Sequence, residues 1–132
     1  MSAMPPLPPR VLVVEDSLTV RRYYRTTAEA AGFAVDEAEN GLEALERALI
    51  GGFGLFLVDV NMPTMDGYRF LAEVRSRPET RAVPAILISS DTSAECRARG
   101  FASGANICHA KPVEPEWLTQ MLGLLLGHQQ DA

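Results

Sequence analysis

Leu55-Phe56-Leu57-Val58-Asp59-Val60-Asn61-Met62-Pro63 is the stretch whose reading decides the fold. Its four consecutive apolar residues, with turn signals on both sides, read as a strand buried on both faces of a parallel sheet. Asp59 closes the run. Ligands of open α/β sheets bind in the crevice beyond the carboxyl ends of the strands, so a carboxylate at this point stands where chemistry is expected. Met62-Pro63 cannot prolong the ladder, because proline lacks an N–H and restricts the residue before it. Asp59 is therefore expected at the mouth of a loop.

Working outward, the same pattern recurs. Val11-Leu12-Val13-Val14 is another continuous apolar strand, and it too ends in acid, Glu15-Asp16. Residues 17–31 carry Val20, Tyr24, Thr27, Ala28 and Ala31 at helical spacing, closed by Gly32. A short strand is expected at residues 33–35. Asn40-Gly41 then caps a helix whose Leu42, Leu45 and Leu49 recur at helical spacing, and Gly51-Gly52 stops it. Gly51-Gly52-Phe53-Gly54 precedes a strand and so reads as a loop, not a dinucleotide fingerprint. After Asp59, Asp66-Gly67 leads into a helix over about 68–75 that buries Phe70, Leu71 and Val74. Ala85-Ile86-Leu87-Ile88 is a fourth strand, ending in Ser89-Ser90. A more polar helix (93–102), a weak fifth strand (106–109) ending at Lys111-Pro112, and a last helix (114–126) complete the chain. Five strands alternating with five helices make a doubly wound α/β sheet with helices on both faces.

The bulk properties set limits. A chain of 132 residues is one domain with a single core, expected at residues 10–127 between a Pro-rich leader (1–9) and a polar tail (128–132). A net charge of -5 argues against nucleic-acid binding through a general electrostatic field, and no apolar run reaches membrane-spanning length. Residues 1–9 lack the order of a signal peptide, which places the protein in the cytoplasm. Cys96 and Cys108 do not form a C-x-x-C site and are expected to be reduced, partly buried thiols. His109 and His128 are isolated and suggest neither a metal nor a triad.

Strand ends carry the functional argument. Strand one ends in Glu15-Asp16, strand three in Asp59, strand four in Ser89 and strand five at Lys111, all on one edge of a parallel sheet. Crowded carboxylates repel one another unless a cation is present or some are protonated. Hard oxygen ligands with open positions suit Mg²⁺, lysine gives a compact charge for a phosphate oxygen, and a serine hydroxyl can donate to another. The set fits a phosphoryl group on Asp59, reached by carboxylate attack on a phosphoryl donor. Asp59 is the expected nucleophile. Asp16 would bind the metal, Glu15 would ligate it or orient a water, the Asn61 backbone carbonyl is a further candidate ligand, and Lys111 would pair with Asp59.

Val-Leu-Val-Val-Glu-Asp-Ser (11–17), Leu-Val-Asp-Val-Asn-Met-Pro-Thr-Met-Asp-Gly (57–67), Pro-Ala-Ile-Leu-Ile-Ser-Ser (84–90), Gly104-Ala105 and Lys111-Pro112 together resemble the receiver domain of two-component response regulators. The resemblance implies the flavodoxin-like strand order 2-1-3-4-5. It also implies phosphorylation of Asp59 by a histidine kinase or histidine phosphotransfer protein, with Mg²⁺, and slow self-catalysed hydrolysis tuned partly at Asn61 and Asp91. The family's readout face, made by the fourth helix, fifth strand and fifth helix, is where a downstream target or a second copy would bind. One position departs from the family. Three residues before the lysine, where a Tyr or Phe commonly rotates inward, stands Cys108, so the expected switch is a displacement of residues 89–102 without a ring flip.

Three other readings compete. A pseudo-receiver that is never phosphorylated is opposed by intact Asp16, Asp59, Ser89 and Lys111. A haloacid-dehalogenase-type phosphatase would need a second aspartate where Asn61 stands. The third, a receiver belonging to a larger hybrid kinase or regulator, is open at this point; the start at Met1 and the polar end suggest a short complete protein.

Overall fold

The structure, a computed structural model, describes residues 9–127. The expected leader (Pro9 apart), the tail at 128–132 and His128 lie outside the described residues. Chain order is β1 (Arg10–Val14), α1 (Leu18–Ala30), β2 (Ala34–Ala38), α2 (Gly41–Ile50), β3 (Phe53–Asp59), α3 (Gly67–Arg75), β4 (Ala85–Ser89), α4 (Ala94–Ser103), β5 (Ile107–Ala110) and α5 (Pro115–Leu126). All strand pairs are parallel, in the order β2-β1-β3-β4-β5.

Because side chains alternate across a strand, each apolar run feeds two cores. Val11, Val13, Leu55, Leu57, Ile86 and Ile88 pack with Tyr24 and Ala28 of α1 and Leu118 and Leu122 of α5. Leu12, Val14, Phe56, Val58 and Leu87 face Ala44 and Leu45 of α2 and Phe70, Leu71 and Val74 of α3. That division explains why the central strands are continuously apolar. The helices start where short polar side chains satisfy free N–H groups. Ser17 accepts from Val20 N–H at 3.3 Å, Asn40 from Glu43 at 2.8 Å, Asp66 from Arg69 at 2.9 Å and Ser93 from Cys96 at 3.2 Å. Pro115 opens α5, where a missing N–H costs nothing.

Several expectations need correction. The second strand runs to Ala38, past the polar pair Asp36-Glu37, because it lies at the sheet edge, where Asp36 and Glu37 are only partly buried. On α2 the buried residues are Gly41, Ala44, Leu45 and Ala48, while Leu42 and Leu49 are exposed. Small side chains let this helix lie close: a Cβ on Gly41 would fall 2.4 Å from the Met65 carbonyl oxygen. Gly54 belongs to β3 and not to a loop, and a Cβ there would fall 2.6 Å from Leu126 of α5. Both cysteines are free and half-buried.

Candidate functional site

The carboxyl ends of the strands bring four of the expected residues together. Glu15 follows β1 and is tied down on all sides: its N–H donates to the Ala38 carbonyl at 3.0 Å, and its carboxylate accepts from Ser17 N–H at 3.0 Å. Asp59 ends β3 beside Ile88 of β4. Both acids are almost fully buried, at 1% and 4% exposure, whereas Asp16 is exposed. One oxygen from each of the three carboxylates lies within 4.8 Å of the others. Lys111, just past β5 and the chain's only lysine, places Nζ 3.0 Å from Asp59 Oδ1 and 3.1 Å from Glu15 Oε1. Its peptide bond to Pro112 is cis.

Electrostatics follow from this packing. Burial, the largest cause, pushes the Glu15 and Asp59 carboxyls above their ordinary values; Asp16 and Asp59 add to the effect on Glu15, and Asp16 to that on Asp59. Burial also works against the Lys111 charge, but the hydrogen bonds and charges of Asp59 and Glu15 outweigh it and hold the ammonium above its ordinary value. One ammonium does not cancel three carboxylates. The hard oxygen donors and the surplus negative charge fit a divalent cation such as Mg²⁺.

Ser89 and Asn61 stand differently. Ser89 ends β4, and its carbonyl accepts the Lys111 backbone N–H at 3.0 Å, yet its hydroxyl accepts from Asp91 N–H at 3.0 Å instead of meeting the carboxylates. Asn61 is exposed two residues beyond Asp59. The loop that carries it is pinned: Gly67 N–H donates to Val60 O at 2.9 Å, Gly41 N–H to Met65 O at 3.1 Å, and Thr64 takes a left-handed φ of 71°. Behind Ser89 runs a narrow crevice lined by Tyr68, Asp91, Cys96, Arg97 and Cys108.

Two supporting residues escaped sequence reasoning. Arg21 of α1 donates to the Glu15 carbonyl at 2.8 Å and to Glu37 at 2.7 Å, which fixes the acidic turn against β2. The one signal was an arginine six residues after Glu15, and that is too common to single out. Gly67 lies so close to β3 that a Cβ would fall 2.4 Å from the Asp59 carbonyl oxygen. Its signal was Asp66-Gly67 at a helix start, which reads equally well as an ordinary turn.

A sequence model of the family described as response regulator receiver domain matches residues 11–123. The chain belongs to the response regulator receiver family. Among solved structures, chemotaxis protein CheY4 of Vibrio cholerae superposes on this receiver domain with a TM-score of 0.85 at 35% identity, over 90% of this chain and 99% of that one. The receiver domain of the sensor histidine kinase PA1611 from Pseudomonas aeruginosa, which carries a magnesium ion in its active-site cleft, gives 0.84 at 25% identity, over 91% and 98%. Among curated relatives, this receiver is 33% identical over 117 residues to the transcriptional regulatory protein ResD of Bacillus subtilis, spanning 89% of this chain and 48% of that protein. It is 38% identical over 114 residues to the sensor histidine kinase CheAY of Helicobacter pylori, spanning 85% and 14%. The chain thus spans half or less of the length of these curated relatives. No helix among the described residues is long and apolar enough to cross a membrane.

Proposed function

We propose that this receiver domain is a phosphorylation-controlled binding module whose phosphoacceptor is Asp59. The observation that carries the reading is the buried Asp59 carboxylate held 3.0 Å from Lys111 Nζ, with oxygens of Glu15 and Asp16 within 4.8 Å. An Asp59 oxygen attacks phosphorus as the phosphorus–nitrogen bond of a phosphohistidine breaks; the imidazole leaves with the electron pair, and an acyl phosphate remains. Glu15, Asp16, Asp59 and the Asn61 carbonyl would hold Mg²⁺, which when bound supplies positive charge to the phosphoryl oxygens. Lys111 moves its pairing from the carboxylate to a phosphoryl oxygen, and Ser89 gives up Asp91 N–H to donate to another. Asn61 and Asp91 would tune hydrolysis of the acyl phosphate.

The donor is a histidine kinase or histidine phosphotransfer protein, the compartment the cytoplasm, and the reader a downstream protein or a second copy on the α4-β5-α5 face. Phosphate favours the state with the better Ser89 and Lys111 contacts, which displaces residues 89–102 without a ring flip at Cys108. A stand-alone regulator is the first reading. A receiver within a larger protein is the second, supported by the kinase relative of which the chain covers 14%.

Amide spectra with Mg²⁺ and acetyl phosphate test the proposal. Shifts should spread from Asp59 through residues 89–102 in the wild type and be absent in Asp59→Asn. Identical spectra with and without the donor would overturn it.

A further inference from the structure

Arg21 stands at the end of the first turn of α1, a helix with no acidic residue in that turn. A cation there opposes the helix dipole, so local helix stability gives no reason for it. Tertiary contacts do. Long side chains on a helix point back toward its N-terminus, and this one reaches past the helix start to the acidic turn. Its Nη1 donates to the Glu15 carbonyl at 2.8 Å, and its Nε donates to Glu37 Oε1 at 2.7 Å. The Arg21 and Glu37 side chains are 12% and 20% exposed, which sets this fork apart from a solvated surface pair. Glu37 is itself fixed, being paired in register with Val13 of β1 and held on its other oxygen by Arg25. The guanidinium thus ties the end of β1 to a rigid acceptor on β2.

The carbonyl that Arg21 holds belongs to the peptide unit between Glu15 and Asp16. That unit is planar, so fixing its oxygen fixes the direction in which the chain enters Asp16. The next unit is fixed as well, since Ser17 N–H donates to the Glu15 carboxylate at 3.0 Å. Asp16 therefore sits between two clamped peptide planes. Glu15 and Asp59 are buried and paired with Lys111, whereas Asp16 is exposed and takes its place from its backbone.

We propose that Arg21 is a positioning residue for the divalent cation, holding Asp16 where its carboxylate and that of Asp59 share one ion. This rests on the reading of the acidic cluster, whose oxygens lie within 4.8 Å of one another, as the Mg²⁺ site of a phosphoacceptor. Arg21 acts through the Glu15–Asp16 peptide and does not touch the ion. Its charge works in the opposite sense, because a guanidinium near a cation site repels the cation. The sign of a substitution therefore separates the two effects. Loss of charge alone tightens Mg²⁺ binding, and loss of position weakens it.

Calorimetric titration of the full chain with magnesium chloride, where urea unfolding shows each protein to be fully folded, tests the proposal. Arg21→Met keeps the stem, loses every donor, and should bind Mg²⁺ about tenfold more weakly than the wild type. Arg21→Lys keeps the charge without the fork and should fall between the two; it decides the matter alone should the methionine variant fold poorly. Affinity equal to or above that of the wild type in the deciding variant would overturn the proposal. Phosphate uptake from acetyl phosphate gives a second readout. In Arg21→Met the rate should fall at low Mg²⁺ and recover at saturating Mg²⁺, because Asp59 and Lys111 keep their places. A rate that stays low at saturation would mean general damage to the site and would also overturn it. A wild type that binds no Mg²⁺ would remove the metal site itself and this proposal with it, whereas equal binding by wild type and variants removes the role of Arg21 alone.

Discussion

Replacing Lys111 by methionine keeps most of the aliphatic stem and removes the one ammonium beside two buried carboxylates. At 3.0 and 3.1 Å, and with an effective dielectric near 20, each attraction is on the order of 5 kcal/mol. Carboxylates within 4.8 Å of one another repel by about 3–4 kcal/mol at the same dielectric. Desolvation of the ammonium offsets much of the attraction, and solvent reaches Lys111, whose side chain is 29% exposed. A net loss of about 2–3 kcal/mol is expected for the metal-free protein at neutral pH, below the cost of breaking a fully buried pair. The sign of the pH dependence is fixed. Glu15 and Asp59 already titrate above their unfolded values, and the substitution raises them further. Such groups contribute stability that is present below the unfolded value, about 4, and is lost as pH rises through the folded one. The deficit of Lys111→Met should therefore be small near pH 4, grow toward neutrality, and shrink when Mg²⁺ is added. Urea unfolding of both proteins across that range, with and without Mg²⁺, measures it. An equal deficit at every pH and no response to Mg²⁺ would mean that lost packing, not charge, is the cause.

Three further outcomes are expected. Gly67→Ala should cost about 2–3 kcal/mol in urea unfolding, because its Cβ would fall 2.4 Å from the Asp59 carbonyl oxygen, and wild-type stability would refute that contact. Burial disfavours the Glu37 charge, yet Arg25 and Arg21 outweigh it and hold the carboxyl below its ordinary value. Glu37→Gln should then cost about 1 kcal/mol at neutral pH, a difference that vanishes as pH falls through that lowered value; a gap that persists in acid would refute the ionic account. Leu122→Ala should cost about 2–5 kcal/mol in thermal or urea unfolding, since the side chain is fully buried, and Leu124→Ala, at 71% exposure, within about 0.5; equal effects would misplace the buried face of α5.

The legible parts of this molecule were those written in contiguous residues. Parallel strands buried on both faces appear as unbroken apolar runs, so β1, β3 and β4 and the residues that end them could be read directly. With those ends went Glu15, Asp16, Asp59 and Ser89, and Lys111 joined them from just past β5, because the topology carries every strand end to one edge. Edge geometry was harder. β2 pairs on one side only, so its polar Asp36-Glu37 step is tolerated in a strand although it breaks the apolar run. On α2 the larger leucines drew attention, but a close helix approach selects Ala44 and Ala48. Arg21, Gly67 and the close approach of Gly100 to Cys108 depend on contacts between distant segments, which spacing along one segment does not encode.

The central claim is that Asp59 takes up phosphate with help from a divalent cation. Intact mass after incubation with acetyl phosphate and Mg²⁺, beside Asp59→Asn and beside a chelator control, tests it most directly. A gain of one phosphoryl group in the wild type, lost in the variant and lost with the chelator, is the expected result. A gain that survives either change, or no gain in any sample, would contradict it.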